Sequence, residues 1–333
     1  MRKILVICLG VLLILGLAGC GTEKAATENT GTEGEGKILK VGIIQIVEHP
    51  ALDAAREGFL AALKENGYEE GKNLEVDYQN AQGDQTILNS IAQKFANDKP
   101  DLVLAIATPS AQAMASATKE IPILITAVTD PVAAKLVNSM DKPGTNVTGT
   151  TDMNPIKEQF DLLKSLVPNA AKVGIIYNAG EVNSQVQVDI AKEVAAGLKL
   201  EITEATVAGS ADVLQAAQSL IGKVDVIYVP TDNVVVSAAQ SVVQVADKNK
   251  IPIIAGESSV VEAGGLATIG INYEKLGRQT GEMAAKIIDG AQPQDTAVES
   301  QKDVDIIVNK KNADLMGITI PDDIMNKAAK VIE

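Results

Sequence analysis

Tryptophan is absent from these 333 residues, and aromatic side chains of every kind make up only 2 % of them. A site that stacks sugar or nucleoside rings on several aromatics has little to work with here. There is one histidine, His49, and it stands before Pro50, where it reads as a turn or packing residue; without companions it offers no metal site. The two cysteines, Cys8 and Cys20, both fall in the first twenty residues. No disulfide or thiol chemistry is therefore expected in the body of the chain. Positive charge is also scarce: 29 Lys and Arg stand against 43 Asp and Glu, a formal net charge of −14. That balance argues against nucleic acid and against adhesion to anionic headgroups. No Gly-x-Ser-x-Gly elbow, Gly-Lys-Ser/Thr loop or metal cluster occurs. An enzyme is thus the weaker class, with no catalytic residue, cofactor or metal to expect.

A long apolar run occurs at the N terminus. Arg2 and Lys3 precede Ile4 to Leu17, followed by the small residues Ala18 and Gly19. A secretory signal has this layout, and the run is short for a membrane span. Leu17-Ala18-Gly19-Cys20 resembles a bacterial lipobox, which implies acylation of Cys20, removal of residues 1–19, and a lipid-anchored body on the outer face of the cell membrane. Loss of Arg2 and Lys3 takes the formal charge from −14 to −16. Residues 21–36 (GTEKAATENTGTEGEG) have no large apolar side chain and read as a flexible tether.

The body from Lys37 onward is too long for one typical core and suggests two lobes. Its grammar is set by Leu102 to Met114. Leu102–Ala107 is a short apolar run, read as a strand buried on both faces. Thr108 then offers an N-cap and Pro109 a first helical residue. The pattern repeats. Ile121–Val128 ends in Thr129-Asp130-Pro131 before a helical pattern. Val173–Tyr177 ends in Asn178 to Glu181, with Asn183 and Ser184 opening a helix. Val224–Val229 ends in Pro230 to Asn233, and Pro252–Ala255 in Gly256 to Ser259. Strands that end in cap-forming residues predict a parallel, doubly wound α/β architecture with polar loops along one rim.

Strand Leu39–Ile46 and strand Leu74–Tyr78 precede this stretch. Helices are expected at Ile156–Leu166, Gln185–Leu198, Ala211–Ile221, Val235–Asn249, Glu274–Asp289, around Ala313 and at Ile324–Ile332. Further strands are expected at Glu201–Thr206, Leu266–Ile271 and Val304–Val308. A tether at 21–36 is followed by a first lobe, 37–149 plus about 272–296, and a second, 150–271 plus about 297–333. Several chain crossings would then form a hinge.

Nearly all of residues 37–333 resembles the substrate-binding lipoproteins of ATP-binding-cassette importers, in the branch associated with tryptophan and tyrosine. The matching segments include His49-Pro50-Ala51-Leu52-Asp53, Ala107-Thr108-Pro109-Ser110-Ala111, Asp130-Pro131-Val132, Pro143 to Gly149, Val173 to Asn178, Tyr273-Glu274-Lys275-Leu276-Gly277 and Ile318-Thr319-Ile320-Pro321. The resemblance implies two Rossmann-like lobes of the type I periplasmic-binding-protein kind. It implies a binding function without catalysis, an ABC permease as partner and a monomer.

A zwitterionic amino acid needs two opposite partners. Thr108 and Ser110, at a helix start, suit its carboxylate; Asp232 or Glu257 suits its ammonium. Asp232 and Asp130 each read equally as plain caps. Gln45 and Glu48 follow the first strand and are candidates to reach the cleft, as are Asn178, Asn183, Ser184 and Asn233 on the opposite rim. The leading expectation is capture of an amino acid, aromatic by the resemblance, between the lobes. A sugar, a nucleoside, another amino acid, or a role as surface sensor or adhesin remain open from residues alone.

Overall fold

A computed structural model describes residues 38–301 and 303–333; the signal segment, Cys20 and the tether lie outside the described residues. In chain order the elements are β1 Leu39–Gln45, α1 Pro50–Glu65, β2 Leu74–Asn80, α2 Gln85–Asp98, β3 Leu102–Ile106, α3 Thr108–Ala117, β4 Ile123–Val128 and β5 Val147–Thr151. There follow α4 Ile156–Leu166, β6 Lys172–Asn178, α5 Val182–Gly197, β7 Glu201–Val207, α6 Val213–Ser219, β8 Val226–Val229, α7 Asn233–Ser237, α8 Ala239–Asn249, β9 Ile253–Ala255, α9 Ser258–Ala263 and β10 Ala267–Ile271. The chain closes with α10 Tyr273–Ile288, β11 Glu299–Ser300, β12 Val304–Asn309, α11 Lys310–Met316, α12 Asp322–Lys327 and β13 Lys330–Ile332.

These strands make two sheets. One has the order β11-β5-β4-β3-β1-β2, with every pair parallel. The other runs β13-β12-β10-β9-β8-β6-β7, parallel except for the β10–β12 pair, which is antiparallel. The apolar strand runs are buried on both faces, as parallel strands flanked by helices must be. Alternate residues serve opposite cores: Val226 and Tyr228 pack with Phe160 and Leu163, whereas Ile227 and Val229 pack with Val242 and Ala246. The first sheet has its own core, to which Leu276, Met283 and Ile287 of α10 belong.

The chain passes between the lobes three times, at β5→α4, β10→α10 and β11→β12. The first passage leaves after Thr151, and the third falls after Ser300, since Glu299 and Ser300 pair with Thr150 and Thr151. Both lie slightly beyond the positions expected near 149 and 297. Helices α1 and α10 lie back to back. A Cβ at Gly277 would stand 1.9 Å from the Ala55 carbonyl oxygen, and one at Gly58 would stand 2.1 Å from that of Glu274. Only glycine permits this approach.

Some local expectations change. Pro131 to Lys135 form turns instead of a helix; Leu136 N–H turns back to the Pro131 carbonyl, closing a compact loop. The helix expected over Val235–Asn249 is two helices. The chain breaks at Ala238, just after the Val234-Val235-Val236 run, whose β-branched side chains favour helix weakly. Residues 330–332 form a strand, not a helix, because they pair with Ile307 to Asn309. β5 was not expected: Val147-Thr-Gly-Thr-Thr carries one aliphatic side chain. Asn146 ties it in by donating to the Ile121 carbonyl at 2.7 Å.

Candidate functional site

The carboxyl ends of the two sheets face each other, so the loops after the strands form the walls of one cleft. His49, Leu52, Ala127 and Thr129 come from the first lobe. Asn183, Thr231, Asp232, Asn233, Val236 and Glu257 come from the second, and Asp152 and Tyr273 from the crossings. The enclosed space leaves a water centre only about 10 Å³, room for about one water molecule. Beside it a groove of about 910 Å³ opens between Ile46, Gln82, Pro109 and Gln112 on one side and Asn178, Glu181, Ser210 and Asn233 on the other.

On the first-lobe wall, α3 begins directly at the end of β3. Ala107 holds the cap position with φ 75°, and Thr108 is already helical, so its hydroxyl makes no capping bond. That replaces the expected role of Thr108 as N-cap. Thr108 and Ser110 are buried and their hydroxyls have no hydrogen-bond partner. Buried polar atoms are nearly always paired, so such exceptions call for an explanation. Ala127, at the end of the adjoining strand, has φ 55°, beside a register shift in the β4–β5 pair. Two alanines in the left-handed region at neighbouring strand ends concentrate strain where ligand sites are commonly built. His49 is buried, with Nδ1 unpartnered, and burial lowers its pKa to about 4. It is therefore a neutral imidazole at pH 7.

The second-lobe wall is acidic. Asp232 caps α7: Oδ1 accepts from Val235 N–H at 2.8 Å, while Oδ2 accepts from Asn178 N–H and Ser184 Oγ, both at 2.6 Å. Glu257 caps α9, accepting from Ser259 N–H at 2.8 Å, Ser259 Oγ at 2.5 Å and Val260 N–H at 3.2 Å. Glu181 Oε2 accepts from Asn183 at 3.0 Å and Asn233 at 2.6 Å. Asn183 also donates to the Thr231 carbonyl at 3.2 Å, and its Oδ1 has no partner. Asp152 accepts from Thr129 Oγ1 at 3.0 Å and Tyr273 OH at 2.7 Å. Burial raises the pKa of all four acids, that of Glu181 to about 7 with a contribution from the Asp232 charge. Among the described residues no Lys or Arg is paired with any of them.

The structure thus brings Asn183, Asp232, Asn233 and Glu257 onto the enclosed cavity, with Ser184 directly behind Asp232 and Asn178 on the groove. Gln45, Glu48 and Asp130 stand apart from it. Gln45 is buried and bonded to Asp53, Arg56 and the Val47 carbonyl. Glu48 is exposed, and Asp130 accepts from Val132 and Ala133 N–H at 3.0 and 2.9 Å, closing its own turn. His49, Asp152 and Glu181 were not among the expected site residues. Glu181 ends the Asn178 to Glu181 loop and was legible there; Asp152 follows an unexpected strand and carried no signal.

A family model described as "ABC transporter substrate binding protein" matches residues 40–332. The chain belongs to this family. Substrate-binding proteins of this kind are extracytoplasmic and bind their substrates without transforming them. The two-sheet, thrice-crossed architecture is that of type I periplasmic binding proteins. This substrate-binding protein is 48 % identical over 313 residues to a tyrosine-binding protein of Clostridioides difficile (strain R20291), covering 93 % of this chain and 90 % of that one. A solved ABC domain from Streptococcus pneumonia, in complex with L-Trp, is 38 % identical with a TM-score of 0.86, over 88 % of this chain and 99 % of that one. A ligand-free, open structure of a substrate-binding protein with adhesive properties from Clostridium difficile is 51 % identical. Its TM-score is 0.68, over 89 % of this chain and 99 % of that one. Among the described residues no helix is long and apolar enough to cross a membrane, and no cluster of His, Cys, Asp or Glu has metal-site geometry.

Proposed function

We propose that this protein captures an aromatic amino acid, tyrosine or tryptophan, between its lobes and delivers it to an ABC permease while anchored to the outer face of the membrane through lipid on Cys20. One observation carries the reading: His49 and Asn183, each with a partnerless buried atom, line one cavity with the buried acids Asp152, Asp232 and Glu257, which have no cation among the described residues. The buried, partnerless hydroxyls of Thr108 and Ser110 lie at the start of α3, whose Pro109 lines the adjoining groove. A zwitterion answers both needs. Its carboxylate takes hydrogen bonds from Thr108, Ser110 and the N-terminal N–H groups of α3. Its ammonium offsets the charge of a cluster of acids that burial makes costly to ionise, a cluster to which Asp232 contributes its field. The remaining polar groups of that rim, Asn178, Asn183, Ser184, Asn233 and Glu257, position those carboxylates or meet the ligand directly.

The narrowness of the enclosed space supports a closing mechanism. One water's worth of room cannot admit an amino acid, so the lobes must part for entry. The higher TM-score to the tryptophan complex than to the more identical open structure fits lobes drawn together here. Closure would bury the ligand, and the tether would hold the loaded protein near its permease.

The test is a thermal-shift panel of amino acids, sugars and nucleosides. A ligand at a hundred times its Kd adds about 2.7 kcal/mol. Tyrosine or tryptophan should raise the midpoint most; a shift with a sugar or nucleoside and none with any amino acid would overturn the reading. Surface adhesion is a second reading, favoured by the adhesive relative. A deletion strain that loses attachment but keeps amino-acid uptake would favour it.

A further inference from the structure

Four buried carboxylates approach the cleft, and their surroundings differ. Asp232 and Glu257 each accept three hydrogen bonds: Glu257 takes all of its bonds from the first turn of α9, and Asp232 takes one from α7 and two from Asn178 N–H and Ser184 Oγ of its own lobe. Glu181 lines the outer groove rather than the enclosed cavity. Asp152 is different. It caps no helix, lies on the passage from β5 to α4, and accepts one bond on each oxygen, both from neutral hydroxyls that can rotate. Each of its oxygens keeps acceptor capacity, and Asp152 lines the enclosed cavity.

We propose that Asp152 is the carboxylate that receives the ligand's α-ammonium, and that its bonds to Thr129 and Tyr273 tie occupancy of the cleft to the hinge. The proposal rests on amino-acid capture as the function. Two residues that line the same cavity carry orphaned atoms, His49 Nδ1 and Asn183 Oδ1, and both residues are more than nine-tenths buried; the second atom is an acceptor free to share the ammonium. The passages meet around Asp152. Asn154, two residues on, donates to the Asp152 carbonyl at 3.0 Å and accepts from Ile271 N–H at 3.1 Å. Asn272 N–H donates to Gln301 Oε1 at 3.0 Å, and its amide donates to Asp305 at 3.1 Å. All three passages are therefore stitched together beside one carboxylate. An ammonium drawn to it pulls on Thr129 from the first lobe and on Tyr273, which opens α10.

Calorimetry with L-tyrosine and its des-amino analogue, 3-(4-hydroxyphenyl)propionate, tests this on the full soluble chain. Wild type should prefer tyrosine strongly. Asp152→Asn keeps the shape and should weaken tyrosine about 100-fold while leaving the analogue little changed, so the preference collapses. Tyr273→Phe keeps the carboxylate but loosens the hinge. It should weaken both ligands by a similar factor, preserving the ratio, and reduce the ligand-induced compaction seen by small-angle scattering. An undiminished preference in Asp152→Asn overturns the assignment, as does a collapsed ratio in Tyr273→Phe, which also decides the matter if Asp152→Asn gives no cooperative melt. Failure of wild type to bind tyrosine or tryptophan is a separate outcome: it removes the functional reading itself and the assignment with it.

Discussion

The two walls of the cleft solve the burial of polar groups in opposite ways. The first-lobe wall is uncharged, and several of its polar atoms lack partners: the hydroxyls of Thr108 and Ser110 and Nδ1 of His49. Its backbone is strained at Ala107 and Ala127. The second-lobe wall carries the carboxyl groups of Glu181, Asp232 and Glu257, which burial makes costly to ionise, yet each of these acids is held by donors of its own lobe. An unmade hydrogen bond and an unneutralised charge are both tolerable only when something else gains from them. The first wall is under-satisfied by geometry and the second by charge. A ligand carrying both an anion and a cation relieves the two together, which is why the contrast points to a zwitterion.

The contrast is broken most forcefully at Asp232. Asp232→Ala strands three donors, Asn178 N–H, Ser184 Oγ and Val235 N–H. It should lower unfolding free energy by about 3 kcal/mol, read by urea denaturation, and weaken amino-acid binding more than tenfold. Affinity within twofold of wild type would remove Asp232 from the binding wall.

A pH series separates the walls with an effect of at most about 3 kcal/mol each. Glu181 is raised from 4.5 to about 7 by burial and by Asp232. The folded protein therefore holds its proton more tightly, and the contribution present below about 4.5 is lost as pH rises through 7. His49 is lowered from 6.5 to about 4 by burial. The unfolded chain binds that proton more tightly, so stability is lost as pH falls from 6.5 toward 4. The slopes oppose each other between about 4.5 and 6.5. Glu181→Gln should weaken the fall with rising pH, to which Asp152, Asp232 and Glu257 also contribute, and His49→Asn should remove the rise that His49 contributes. If neither variant alters the pH profile of denaturation, these environments are misread.

The smallest effect sharpens the contrast best. Thr108→Val and Ser110→Ala each remove a hydroxyl without a partner, so the melting midpoint should hold or rise slightly. Tyrosine affinity should nevertheless fall about tenfold. A drop in stability without loss of affinity would show these hydroxyls to be structural.

Much of the fold was readable in order. Leu102–Ile106, Lys172–Asn178 and Val226–Val229 form strands near their expected bounds because an apolar run buried on both faces is a local signal. The weak strands β5 and β13 were not readable: their pairing is supplied by partners distant in sequence, and neither has a continuous apolar run. Site residues divided similarly. Asp84, Asp130, Asp232 and Glu257 all look alike as acids before a turn or helix, and all four accept N–H bonds from the residues that follow. Only Asp232 and Glu257 line the enclosed cavity.

Composition and the alternation of apolar runs with capping residues determined the α/β class, since helix starts, turns and buried strands are written in neighbouring residues. Which caps face a ligand was decided in three dimensions. Three chain passages turn the carboxyl ends of two sheets toward each other, bringing His49, Asp152, Asn183 and Asp232 onto one cavity from distant parts of the chain. Burial, orphaned atoms and raised carboxyl pKa values exist only in the folded chain, because each is a property of what the fold packs around a group.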